Sequence, residues 1–375
     1  MNADHGGSMY RKRGSDWRPR EMSRGLRIAM ISYYLPSESK IGVGYWVDQL
    51  AREMVRRGHQ VTVFSSCRAP NGSPYEVVTV RLSGPMRTFR FAWDLRHAAL
   101  DAFDVLHAHG DDYWLWRRRT AAHVRTLHGS CFSEAIHITG GWERLRMFGL
   151  GLGEVLASVV ADKTVVISPG TRVWTPWVRE VLADGPDAER FKRPPQRERE
   201  KAPTVLFVGT YQRRKRGMLL VEAFRRHVLP VNPEAQLWMV SEDCPSFEGV
   251  IPLGRVSDER LVDLYHRAWV FCLPSSYEGL GIPYIEAMAA GLPVVATPNP
   301  GSRFVLGEGQ YGMLTTEEQL GTALAGLLRN SAERERLSKL GLERSVSLSL
   351  ARAADRYEEI YYQLVGRAAG RRCGH

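Results

Sequence analysis

The chain has 375 residues, 44% of them hydrophobic, 10% aromatic and 25% charged. These proportions exclude general disorder, and the length allows two or three domains with full cores. Its 51 basic and 41 acidic side chains leave a formal charge of +10. That charge suits an anionic partner, whether nucleic acid, an acidic membrane surface or a phosphorylated small molecule. Five cysteines, none in a Cys-x-x-Cys pair, argue against a disulfide framework or a zinc site and fit a reducing compartment. No apolar run reaches the roughly 18–20 residues of a membrane span, and the first residues lack the apolar core of a secretory signal. A cytoplasmic protein is expected.

Residues 1–24 are polar and basic, without periodicity, and read as a disordered basic tail. The pattern changes in 25–186. LRIAMISYYL reads as a buried strand, followed by a loop with Gly42 and Gly44. Val47, Leu50, Ala51, Met54 and Val55 then stand at helical spacing before Gly58, and VTVF is the next strand. The alternation continues through DVLHAHG (104–110), VRTLHG (124–129) and KTVVIS (163–168). The stretch 187–202, rich in proline and charge, reads as an interdomain linker. A second alternating run fills 203–349, with strands at PTVLFVG, AQLWMVS, WVFCLPS and LPVVATP. Helical patterns at 318–329, 332–345 and 351–365 follow, and the last, within 350–375, is expected to return to the first domain. The fold class is α/β: two Rossmann-like, doubly wound parallel-sheet domains facing across a cleft, with ligands at the carboxyl ends of the strands.

Two stretches carry chemistry. In PSSYEGLGIPYIEAMAAG (274–291), a strand end leads through Glu278, Gly279, Leu280 and Gly281 into a helix near Pro283. Glycines allow close backbone approach, and a helix start attracts phosphate. Glu286, one turn inside, is placed to accept hydrogen bonds from adjacent sugar hydroxyls. In FVGTYQRRKRG, Gly209 and Thr210 precede Arg213, Arg214, Lys215 and Arg216, four cations at a strand end that could neutralise a diphosphate.

These motifs, together with the glycine loop at 42–44, DVLHAHG, TLHG, ADKTVVIS and LGRVSDERLVDLYHRA in that order, resemble the family 4 retaining glycosyltransferases of the GT-B fold. The resemblance covers roughly residues 26–365, and its most specific part is Glu278 with Glu286 in EGLGIPYIEAM. It implies that Lys215 and Arg214 bind a donor diphosphate, that Glu278 contacts the donor sugar and Glu286 the ribose, and that the backbone of Gly279, Leu280 and Gly281 surrounds sugar and phosphate. Arg255 and Val256 would flank the base, His128 would face the donor sugar or the acceptor hydroxyl, and Gly42 and Gly44 would let the first loop approach the phosphates or the acceptor. The implied reaction moves a sugar from a UDP-, GDP- or dTDP-linked donor to an acceptor hydroxyl or amine with retention, the acceptor being a small molecule, a saccharide or lipid-linked. No cofactor or metal is expected, since no Asp-x-Asp pair ends a strand. Thr210 and Gly42-Val43-Gly44 depart from the commoner family pattern of arginine and Gly-Gly.

Competing readings are a nucleotide-sugar epimerase or phosphorylase on the same fold, and a nucleic-acid-binding protein using the basic charge and DDYWLWRRR (111–119). Specific nucleic-acid binding is not expected. GGWERLRMFGLGLGEVLASVVA (140–161) is partly amphipathic, which admits peripheral contact with the inner face of a membrane. Its glycines at 149, 151 and 153 argue instead for a buried or acceptor-lining segment. His107 and His109 share a strand face without a third ligand and read as structural.

Overall fold

The computed structural model of the chain describes residues 25–36, 42–80, 86–115, 121–137 and 140–373. The tail expected at 1–24 lies outside them, as do Trp116 and Arg117 to Arg119. The first domain is a seven-stranded sheet of β1 (Arg27–Ile31), β2 (Gln60–Ser65), β3 (Glu76–Thr79), β4 (Val105–Ala108), β5 (Ala122–Leu127), β6 (Lys163–Val166) and β7 (Glu180–Val181). All its pairs are parallel, in the order β3-β2-β1-β4-β5-β6-β7. The second is a six-stranded sheet of β8 (Thr204–Val208), β9 (Gln236–Val240), β10 (Val250–Pro252), β11 (Val270–Leu273), β12 (Val294–Ala296) and β13 (Met313–Leu314). It is also parallel, in the order β10-β9-β8-β11-β12-β13. Continuous apolar runs such as VFCL are buried along their whole length because crossover helices cover both faces. In each sheet the winding reverses once, between β1 and β4 and between β8 and β11. The loops leaving those strands therefore open onto a crevice.

Helices α1 (Gly42–Arg56), α2 (Arg87–Asp94), α3 (Cys131–His137) and α4 (Gly141–Val160) belong to the first domain. After α5 (Ala188–Phe191), the second carries α6 (Gly217–Ala223), α7 (Asp258–Arg267), α8 (Ile282–Ala289), α9 (Pro300–Val305), α10 (Leu320–Arg329) and α11 (Ser331–Ser347). The last helix, α12 (Leu350–Cys373), buries Tyr357, Ile360 and Tyr361 in one core with Ile28, Trp46, Leu50 and Val105. Its tyrosines also anchor polar atoms of the first sheet: the Tyr361 hydroxyl is 2.5 Å from His107 Nδ1 and that of Tyr357 2.8 Å from Thr126 Oγ1. His107 is thus structural.

The stretch 187–202, expected as a linker, packs on the second domain instead. Phe191 enters that domain's core. Arg199 donates to the carbonyls of Ala268 at 2.7 Å and Gly291 at 2.6 Å, and the Trp269 indole donates to the Glu200 carbonyl at 2.6 Å. A charge-rich sequence looks solvated, but here the guanidinium satisfies loop carbonyls that no backbone N–H reaches.

The chain crosses between domains near 185 and returns near 349, with Leu350 N–H donating to the Pro186 carbonyl at 3.0 Å. A Cβ on Gly185 would fall onto the Leu348 carbonyl oxygen. Gly185→Ala is therefore expected to force the crossings apart and destabilise the protein by about 1–3 kcal/mol. Calorimetry checks this, and a melting temperature equal to the parent's would refute it.

Candidate functional site

Between the carboxyl ends of the two sheets lies a cleft of about 1060 Å³. Its second-domain wall is built by two loops tied to each other. After β8 the chain forms a 3-10 turn at Arg213–Lys215, and the Arg214 carbonyl accepts from Ser276 N–H at 2.9 Å. Lys215 Nζ lies 2.8 Å from Glu278 Oε1, and Arg214 lies 2.8 Å from Oε2 while donating to the Tyr277 carbonyl at 2.6 Å. A Cβ on Gly209 would stand 3.0 Å from Lys215 Cγ, so the bare backbone there is what lets the lysine lie across the strand end.

Burial pushes the Glu278 carboxyl up, but the charges of Lys215 and Arg214 outweigh it and hold the group below its ordinary range. Burial also lowers the Lys215 ammonium, an effect Glu278 opposes only in part. Two cations thus meet Glu278 on this wall, and the Glu134 carboxyl across the cleft also feels the charge of Arg214. Gly279, Leu280 and Gly281 continue the wall. Gly281, at φ +87°, turns the chain so that α8 begins at the cleft with its positive dipole end; Pro283 has no N–H and Tyr284 N–H donates to the Gly281 carbonyl at 3.0 Å, so Ile282 carries the free amide of the first turn.

Glu286 lines an adjoining cavity of about 270 Å³, which shares Gly42, Trp46, Asp184 and Ile282 with the main cleft. The Tyr265 hydroxyl donates to Glu286 Oε2 at 2.9 Å. Burial nevertheless pushes this carboxyl up to about 7.

The first-domain wall brings together Gly42, Val43 and Trp46 of α1, His128, Gly129 and Ser130 after β5, Ser133 and Glu134 of α3, and Asp184. His128 Nδ1 hydrogen-bonds Asp184 Oδ2, and its Nε2 is 2.9 Å from His109 Nδ1. Trp46 stands edge-on to both imidazoles, with centroids at 5.5 and 5.6 Å. Burial pushes His109 well below its ordinary pKa, so it is a neutral partner of His128.

Of the residues singled out in the sequence, Lys215, Arg214, Glu278, Gly279, Leu280, Gly281, His128 and Gly42 line the cleft and Glu286 its annex. Five do not. Gly44 is buried inside α1, where a Cβ would stand 3.0 Å from the Leu35 backbone; the expected loop is already helix from Gly42, and the glycine serves packing. Gly209 lies behind Lys215. Thr210 is exposed and donates to the Gln212 carbonyl at 2.9 Å, closing its own turn. Arg255 and Val256 follow the edge strand β10, and Arg255 faces Glu242 at 4.0 Å in solvent. Conversely, Asp184, Trp46, Ser133 and Glu134 join the site without a local sequence signal.

The segment 140–161, expected as buried or acceptor-lining, forms α4 with one side in solvent. Gly151 and Gly153 sit against the rings of Phe132 and Tyr113, where a Cβ would come within 2.9 and 2.8 Å. These two glycines thus face inward, as do Met147 and Leu150, while Trp142, Leu145, Leu152, Leu156 and Val159 face outward. In 111–119, Trp114 packs edge-on against Trp93 at 5.7 Å.

The chain matches the family described as Glycosyl transferases group 1 over residues 188–344 and Glycosyltransferase Family 4 over residues 41–175. It belongs to glycosyltransferase family 4. Among its relatives is a phosphatidyl-myo-inositol mannosyltransferase of Mycobacterium leprae, 27% identical over an alignment of 359 residues that covers 85% of this chain and 91% of that protein. Its fold is shared by sucrose-phosphate synthase from Thermosynechococcus elongatus, with a TM-score of 0.70, 22% identity, and coverage of 91% of this chain and 100% of that one. HepE of Anabaena, solved with UDP-glucose, superposes with a TM-score of 0.69 at 15% identity, over 90% of this chain and 100% of that chain. The chain is thus a glycosyltransferase built on the GT-B fold.

Proposed function

We propose that this glycosyltransferase moves a sugar from a nucleoside diphosphate donor to an acceptor hydroxyl with retention of configuration. The observation that carries the reading is the tethered set of Lys215, Arg214 and Glu278 beside the start of α8. In this reading the diphosphate takes the cations from Glu278, which then accepts hydrogen bonds from the donor-sugar hydroxyls. The bond from the anomeric carbon to the diphosphate oxygen breaks, the acceptor oxygen bonds to the same face, and the acceptor proton passes to the departing phosphate oxygen. Lys215, Arg214 and the positive end of α8 stabilise the charge that develops there, so no divalent cation is assigned a part. His128 faces the reacting groups from the opposite wall. The mannosyltransferase relative supports a lipid-linked acceptor. Because Arg255 and Val256 line neither cavity, they are given no role.

Glu286 supplies the test. To accept hydrogen bonds from both ribose hydroxyls its carboxyl must be ionised, and its pKa of about 7 places that transition near neutrality. The affinity for the nucleotide is expected to fall as pH drops from about 8 to about 6, approaching tenfold per unit below 7, with proton release on binding at neutral pH. Thermal-shift titration with UDP, GDP, ADP and dTDP identifies the base, since the shift grows with ligand over Kd. Glu286→Gln should weaken binding and flatten its pH dependence. If no nucleotide stabilises the protein, or the variant titrates like the parent, the donor-site assignment is wrong.

A further inference from the structure

The outer side of α4 is an apolar surface that the cleft does not use. The helix is about 30 Å long at 1.5 Å per residue. Trp142, Leu145, Phe148, Leu152, Leu156 and Val159 recur along it at three- and four-residue spacing and are all exposed, Trp142 at 70% and Leu152 and Val159 at 66% each. The opposite side is apolar as well: Met147, Leu150, Gly151 and Ala157 are buried against the domain. Between Arg146 and Val160 the sequence has one charged residue, Glu154, and it points inward, accepting from Cys131 N–H at 2.9 Å and Sγ at 3.0 Å. A helix apolar on all sides belongs in a buried setting, yet half of this one faces out.

The stripe continues beyond the helix. Phe148 meets Phe132 at 5.8 Å, and Phe132 meets Trp174 at 4.9 Å. The Trp177 indole donates to Ser158 Oγ of α4 at 3.3 Å, and Val173 beside Trp174 is 69% exposed. Arginines border this apolar field, with the exposed acids Asp162 beyond the C-terminal end of α4 and Glu134 on the cleft side. Arg144 is exposed on the first turn of α4. Arg87 and Arg90 are exposed on α2, whose Phe89 lies against Gly149. Arg172 and Arg179 flank the aromatic loop, and the acidic Glu143 pairs with Arg146. Tryptophans at the margins of an apolar stripe with arginines outside them fit a bilayer interface, where indoles sit at headgroup depth and guanidinium groups meet lipid phosphate. Among the described residues no helix is long and apolar enough to cross a membrane, so this surface would lie on one. The patch also reaches the cleft: the Trp174 indole donates at 3.1 Å to Ser133 Oγ, and Ser133 lines the first-domain wall.

We propose that the outward face of α4, with the loop Val173–Trp177, docks on an anionic phospholipid surface and sets the acceptor side of the cleft against it, so that a lipid-linked acceptor enters from the bilayer. The proposal rests on the glycosyltransferase reading of the cleft and names the state in which the acceptor arrives.

The test is sedimentation of the full chain with vesicles of phosphatidylcholine alone and of phosphatidylcholine mixed with phosphatidylglycerol, beside the double variant Leu152→Glu/Leu156→Glu. Donor-nucleotide thermal shift is measured on both proteins. The expected result is binding to the mixed vesicles at least about tenfold tighter than to the neutral ones, lost in the variant while its nucleotide shift equals the parent's. A parent that stays in the supernatant with anionic vesicles overturns the proposal, as does a variant that sediments like the parent. So does a parent dimer that the variant dissolves without any vesicle binding, since a second copy would then be the occupant. Loss of the nucleotide shift in the parent strikes the donor site alone and leaves the vesicle result to decide the docking surface.

Discussion

Lys215→Ala is expected to lower kcat by about 10²–10³-fold, the cost of removing one preplaced donor aimed at developing negative charge, with a smaller loss of nucleotide affinity. The difference follows from timing: a bound diphosphate already carries its charge, but the oxygen leaving the anomeric carbon gains more only as that bond breaks. Folding should survive, because Glu278 keeps Arg214 at 2.8 Å and is not left as an isolated buried carboxylate. Lys215→Arg should recover part of the rate, since it restores charge but not the fit of the stem over Gly209. Gly209→Ala reaches the same group from behind, as its methyl would crowd the lysine side chain at 3.0 Å, and should lower kcat without removing any charge. Steady-state kinetics with nucleotide titration separates the two effects. A Lys215→Ala turnover within tenfold of the parent's would show that this cation does not act on the leaving group.

How much of this site could be read from sequence depends on how local each residue's reason is. Lys215 and Glu278 stand directly after parallel strands on either side of the switch point in the second sheet, so strand pattern and topology alone send them to the crevice. Arg255 also follows a strand, but β10 is the sheet edge, two strands from β8 in the order β10-β9-β8. Strand order is a long-range property that the pattern of a single strand does not carry. Glycine proved ambiguous for a related reason. Gly281 at φ +87° is a conformational need, whereas Gly44 is small because the Leu35 backbone presses on it. Both read as loop glycines in the sequence. The charged run 187–202 was misleading in the same way, since Arg199 finds its carbonyl partners about 70 and 90 residues further along. In α4 the presence of apolar residues and glycines was legible, but which of them faces out was decided by Phe132 and Tyr113, contributed by other segments.

The sharpest case is Asp184, which has no motif around it and reaches the site because the chain turns there toward the second domain. Its carboxylate holds Nδ1 of His128 while His109 meets the Nε2 edge, so it fixes the tautomer and the orientation of the ring that lines the cleft, and we assign it as a positioning residue. Burial raises its pKa, and hydrogen bonding and charge from His128 oppose that rise only in part. A carboxylate with a raised folded-state pKa binds protons better folded than unfolded, so it costs stability as pH rises through that range. Asp184→Asn keeps the shape and removes this cost. The variant is therefore expected to melt no lower than the parent at alkaline pH, and to bind the donor nucleotide unchanged. Its kcat should still fall by about 10²-fold or more, because an amide can present its N–H₂ to Nδ1 and so favour the wrong tautomer. His128→Ala should lose a similar factor. The deciding measurement is the double variant. If Asp184 acts through His128, the pair costs no more than the worse single substitution; if the two losses multiply, Asp184 acts on the substrate by another route and the positioning role is wrong.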